Sequence, residues 1–177
     1  MKLKNLFNVL FVLAILLLPS NVYPQKFVKY IFLDNKVKVV VQKDFSVQAM
    51  PDKGAVENRE SLRYWLTKNE KASLKLYMMH HQANGDIVRK VQDIWRLFPE
   101  SEGQNEIKSK TIVINRNQKV GVMEYSATES SNQYFYCIFG VKFQDEDFLF
   151  FIFQCLTKDK DKYYPALQET IRTLTVQ

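Results

Sequence analysis

Two histidines, two cysteines and one run of carboxylates are the side chains here whose type and spacing could carry chemistry. His80 and His81 are the only imidazoles. A zinc site takes three or four converging ligands, and adjacent residues of a strand point to opposite faces. The two rings therefore do not readily share one metal, and neither Asp86 nor the cysteines stand at a recognised ligand spacing from them. They read as strand-end histidines. The rival reading is an exported hydrolase or metal-dependent enzyme that uses His80 or His81 with a carboxylate; a deep pocket holding such a pair would support it. Asp145, Glu146 and Asp147 form an acidic tip between two very apolar runs. Calcium asks for more oxygen ligands and a turn glycine, so the tip reads as a solvated turn that discourages aggregation. A serine hydrolase needs a nucleophile with a histidine base and an orienting acid; there is no Gly-x-Ser-x-Gly elbow. With five glycines in the chain, no phosphate-cradling loop is visible either. No catalytic, cofactor-binding or metal-ligating residue is assigned.

The elements that must position these groups follow a start of a different kind. Lys2 and Lys4 precede a run from Leu6 to Leu18 that is apolar except for Asn8, and Pro19-Ser20-Asn21 breaks it. The run is short of the roughly 20 residues that span a bilayer and has the layout of a secretory signal peptide. Residues 1–24 are read as that peptide and 25–177 as one domain. Cleavage after Ser20 or before Gln25 are both open, and no cysteine follows the run, so a lipoprotein anchor is excluded. The expected location is periplasmic or secreted, with no transmembrane helix in the mature chain. The whole chain carries a formal charge of +6, or +4 without Lys2 and Lys4, and 46% of its residues are hydrophobic. That content can build a core. The lysines alternate with apolar residues, as in Lys36-Val-Lys-Val39, which is a solvated strand face and not a nucleic-acid stripe.

Phe27 to Leu33 and Val37 to Gln42 read as a hairpin turned by Asp34-Asn35, residues that tolerate positive φ. Phe45 to Ala49 reads as extended and Leu62 to Leu66 as a short helical turn. Ala72 to His81 is strand-like, with Leu76 and Met78 on its buried face. From Asp86, Ile87, Val91, Ile94, Trp95 and Phe98 form one apolar stripe at helical spacing, with Asn84 able to cap the helix and Pro99 ending it. Glu106 to Arg116 and Val120 to Ala127 form two strands, and Thr128 to Asn132 a turn. Gln133 opens a closing hairpin whose second strand, Phe148 to Phe153, is apolar on both faces and so belongs at the centre of a sheet covered on both sides. Tyr163-Tyr164-Pro165 opens a last helix with proline in its first turn, buried through Leu167, Ile171 and Leu174. The fold class is α+β: a mostly antiparallel sheet flanked by helices on both faces. Trp95 reads as packing. Arg63, Tyr64 and Trp65 are the candidate exposed contact patch.

Parity places the cysteines. The apolar faces of the closing hairpin are odd-numbered on both strands, so paired residues sum to an even number. A turn centred on Glu146 puts Phe143 opposite Leu149 and Cys137 opposite Cys155; a shift of two makes the cysteines diagonal. An oxidising compartment favours a Cys137–Cys155 disulfide. Strand Cβ spacing slightly exceeds what a disulfide prefers, so two buried free thiols remain the other reading.

Several features together resemble the PsbP-like superfamily: Asp44-Phe45-Ser46-Val47, strand 72–81, the helix ending Trp95-Arg-Leu-Phe-Pro99, the stretch Asn115 to Met123 running on to Tyr125, the aromatic hairpin, and the helix with Tyr164-Pro165 and Ile171-Arg-Thr-Leu174. The resemblance covers about Val37 to Val176. It implies an α/β/α sandwich and roles in binding or assembly rather than catalysis, with no cofactor. Its members bind unrelated partners, so fold does not carry function across. The expected function is an exported, non-enzymatic binding or accessory protein of the bacterial cell envelope, its partner a protein or envelope complex. The alternatives are a periplasmic immunity protein against a toxin, the His80/His81 enzyme, and a small-ligand carrier if an apolar cavity exists.

Overall fold

The computed structural model describes residues 26–49, 59–80, 86–96, 105–113, 118–129, 131–144 and 147–177, without the side chains of Arg59, Trp95, Arg96, residues 105–113 and Glu129. The expected signal peptide, His81, Asn84, Phe98, Asp145 and Glu146 lie outside the described residues.

Among the described residues, ten strands and two helices follow in the order β1 Phe27–Phe32, β2 Val37–Gln42, β3 Phe45–Gln48, β4 Arg59–Thr67, β5 Ala72–His80, α1 Ile87–Arg96, β6 Asn105–Val113, β7 Lys119–Glu129, β8 Asn132–Lys142, β9 Asp147–Leu156, α2 Lys160–Thr173 and β10 Thr175–Val176. Seven strands make one sheet in the order β3-β4-β5-β9-β8-β7-β6, and β1-β2-β10 make a second. Every pairing is antiparallel. The doubly apolar strand β9 is the middle strand of the seven, as its composition requires: a strand with phenylalanine on both faces is stable only where both faces are covered. Its odd face, Leu149, Phe151, Phe153 and Cys155, joins β2, β5, β8 and α2 in one core. Its even face, Phe148 and Phe150, joins β7, β8 and α1 in a second.

The cover is only partly helical. On the odd face α2 lies beside β2, so part of that layer is the small sheet. On the even face α1 rests on β6, β7 and β8 through Val91 and Ile94. β10 closes the small sheet by pairing with β2, and the Gln177 amide donates to the Lys36 carbonyl at 2.9 Å.

The β1–β2 hairpin forms where expected, with positive φ at Asp34 (52°) and Asn35 (69°). Leu33 also sits at 52°, a conformation a leucine adopts only when held; its side chain packs against the odd-face core. Three expectations change. Leu62 to Leu66 is not a helical turn but part of β4, with a bulge between Ser61 and Arg63. β7 runs on to Glu129, so the turn before β8 is short, with Ser131 at φ 69°. Last, α2 starts at Lys160 after a 3₁₀ turn at Thr157–Asp159, which leaves Pro165 inside the helix. At the start of α1 the Asp86 Oδ1 accepts from the Val88 amide at 3.2 Å; the expected cap Asn84 lies outside the described residues.

Candidate functional site

The closing hairpin keeps the expected parity but not the expected register. Val141 pairs with Leu149, Phe139 with Phe151, Cys137 with Phe153 and Phe135 with Cys155. The reversal centres one residue earlier than Glu146, because the Phe143 amide donates to the Asp147 carbonyl (2.9 Å) and the Asp147 amide to the Gln144 carbonyl (2.8 Å). Parity is blind to a two-residue shift; the turn's own hydrogen bonds decide it. Cys137 and Cys155 are therefore diagonal neighbours, both buried and not joined by a disulfide. Burial, with some help from the Asp159 charge and against the pull of Lys160, pushes the Cys155 thiol from 9.0 up to about 12. A thiol held neutral is a poor nucleophile. Native protein at pH 8 is expected to resist a thiol-labelling reagent and to release two reactive thiols in denaturant. Because the folded pKa lies above the unfolded one, the thiol's contribution to stability is complete below pH 9 and is lost as pH rises toward 12. Rapid native labelling, or an intact mass lower by the two hydrogens of a disulfide, would contradict this.

His80 ends β5 between two carboxylates. Its Nδ1 is 3.3 Å from Oδ1 of Asp147, its cross-strand partner on β9, and its Nε2 is 3.4 Å from Oε2 of Glu60 on β4. The pairing register of three neighbouring strands brings these groups together, which the sequence spacing of 60, 80 and 147 does not reveal. The imidazole is 47% exposed. Among the described residues no group of His, Cys, Asp and Glu could hold a metal ion.

The contact patch divides. Arg63 is exposed, with Nη1 donating to the Leu62 carbonyl at 2.9 Å. Tyr64 is half-buried beneath the Lys75 ammonium, 5.8 Å from the ring centre. Trp65 is fully buried, edge-on to Tyr30 at 5.4 Å. The strand period, which replaces the expected helical turn, sends Trp65 inward, so it is core and not surface.

A cleft that residue-type motifs did not signal opens at one end of the large sheet. Its volume is about 910 Å3. It is lined by Lys90 of α1, Lys119 of β7 and Lys142 of β8, by Ile87, Val141, Phe143 and Phe148, and by Val176 and Gln177 of the C-terminal segment. Lys119 and Lys142 each stand one residue beyond the Val120–Val141 pair, which sets two like charges at the same end of adjacent strands. Such a placement is unfavourable by itself and suits an acidic occupant. Asp86, an acidic side chain in the lining, accepts a hydrogen bond at the α1 N-terminus. A second polar contact lies elsewhere on the odd face: the Tyr164 hydroxyl donates to Oε1 of Glu124 at 2.6 Å, and burial together with that bond raises the phenol well above its usual range.

No family model matches the chain, and no curated protein does. Solved structures do. The cyanobacterial PsbP (CyanoP) of Synechocystis sp. PCC 6803 aligns over 89% of this chain and 96% of its own, with TM-score 0.62 and 8% identity. LpqN, involved in cell envelope biogenesis of Mycobacterium tuberculosis, aligns over 86% and 91%, with TM-score 0.60 and 8% identity. A Pseudomonas aeruginosa protein of unknown function, PA94, aligns over 85% and 97%, with TM-score 0.52 and 11% identity. Identities this low speak for architecture alone, and on that architecture the chain has the PsbP-like fold.

Proposed function

We propose that this chain is an exported, non-enzymatic binding or accessory protein of the bacterial cell envelope, and that it holds an acidic segment of a partner protein or envelope complex in the lysine-lined cleft. The observation that carries the reading is the cleft itself: lysines from three elements, Lys90, Lys119 and Lys142, line one opening at the end of the large sheet. Such a surface offers positive charge that steers an acidic partner toward it. The envelope setting draws support from the N-terminal sequence pattern and from LpqN, a structural neighbour tied to envelope biogenesis. Among the described residues no helix is long and apolar enough to cross a membrane. A binding role rather than catalysis is favoured by the solvent-open position of His80, since general acid–base work gains from a site that excludes water.

Affinity capture from envelope extracts, followed by identification of what is retained, tests the reading. Wild-type protein is expected to recover a specific partner. The triple change Lys90→Glu, Lys119→Glu and Lys142→Glu is expected to lose it while far-UV circular dichroism and the urea midpoint stay unchanged. Equal recovery by the triple variant, or no specific partner at all, would count against the proposal.

A further inference from the structure

Three large apolar side chains stand exposed among the described residues: Val28 (37%), Ile31 (47%) and Val47 (47%). All three sit on edge strands, two on β1 of the small sheet and one on β3 of the large sheet. The edges lie close together, because Tyr30 of β1 packs on Trp65 and Val47 is the cross-strand partner of Trp65. A single ladder, with β2, engages β1 among the described residues, and none of them pairs with its outer backbone edge. Long, apolar, open edges invite another strand.

The residues of β1 fit a second copy of themselves. Two antiparallel edge strands related by a two-fold axis keep the same sheet face upward, so residues of equal parity must pair. Two such registers match five residues of β1. The first has Lys29 on the axis and sets it against Lys29 of the partner subunit, an unfavourable pair. The second has Tyr30 on the axis. It sets Val28 against Phe32 of the partner subunit and Lys29 against Ile31 of the partner subunit, apolar on the core side and free of opposed charges on the other. We infer that β1 pairs with β1 of a second copy about Tyr30, extending the small sheet into a continuous six-stranded sheet across a closed dimer. The pairing uses the edge completely, so it stops at two copies and does not propagate.

Ile31 is the residue that tests the register, since it is exposed in the single chain and its replacement leaves the core untouched. Sedimentation analysis of protein expressed from the full chain, over about 1 to 100 µM, is expected to show a monomer–dimer equilibrium. Ile31→Lys sets lysine against Lys29 twice in the dimer and is expected to weaken dimerisation about tenfold or more. Ile31→Glu sets a carboxylate against each Lys29 and is expected to keep the dimer, with an affinity that falls as salt is raised. Thermal unfolding of the dilute variants is the control that each chain folds. A chain monomeric throughout that range, as it would be if its own N-terminal residues or an unrelated peptide occupied the edge, overturns the inference. So does a dimer indifferent to Ile31→Lys, or one lost equally with Ile31→Glu.

Discussion

Replacing Trp65 with alanine is expected to destabilise the domain by about 3–5 kcal/mol, the range for removing a buried tryptophan or phenylalanine. Trp65 is fully enclosed, lies in the odd-face core with Leu74 and Leu76, and supports Tyr30 edge-on at 5.4 Å. Its loss thus opens a cavity and loosens the small sheet from the large one at the same place. The indole Nε1 has no hydrogen-bond partner among the described residues. Trp65→Phe removes that unsatisfied donor and is expected to cost less than half as much. Urea unfolding is the measurement: with a slope of about 2 kcal/mol/M, the alanine variant's midpoint falls by roughly 2 M. If Trp65 were a contact residue instead, the alanine variant would unfold with the wild type and lose only a binding activity. A wild-type midpoint would therefore show that the core assignment is wrong.

Gly121→Ala is expected to cost about 1–3 kcal/mol although it adds one methyl group. A Cβ at this position falls 2.6 Å from the Ile87 carbonyl oxygen and 2.8 Å from its carbon. Both atoms are backbone at the start of α1, so neither can swing aside as a side-chain tip would. Glycine in a strand interior is otherwise a loss; here it lets the helix touch the sheet. Gly140, its cross-strand partner, makes similar room for the Phe148 ring. The pair forms a shallow seat on the even face for the helix N-terminus and one aromatic ring. Amide hydrogen exchange in Gly121→Ala is expected to speed up first in α1, ahead of β8 and β9. Unchanged protection across α1 would mean that the helix does not depend on this seat. Because Ile87 and Lys90 line the basic cleft, displacing α1 also alters the proposed binding surface.

How far these features were legible from the amino acids varies with the range of the interaction. The Phe148–Phe153 run announced a central strand, because a segment apolar on both faces has few other stable places to go. Periodicity located α1 through Val91 and Ile94 and α2 through Leu167 and Ile171, both of which are buried as expected. Trp65 was misplaced because a short stretch with Leu62, Tyr64 and Leu66 can be read with either period. Pairing with β3 and β5 settles it as strand. The cysteines show the same limit at one further level, for parity constrains the face and leaves the register to the turn.

The candidate sites divide along the same line. The chemistry-bearing residues were visible as types: two histidines, an acidic tip and scattered lysines. Their grouping was not. His80 meets Glu60 and Asp147 only because β4, β5 and β9 lie side by side, and the three lysines line one cleft only because α1 packs on β7 and β8.

By itself the sequence determined the α+β class, the central strand and the core faces, since each follows from local periodicity and the need to bury apolar surface; the PsbP-like resemblance came separately, from the order of its matching stretches. The tertiary structure alone decided the hairpin register, the inward turn of Trp65, the closing strand β10, the edge position of β1 and the basic cleft. Each of these depends on which distant segments become neighbours, and hydrophobic burial specifies a face long before it specifies a partner.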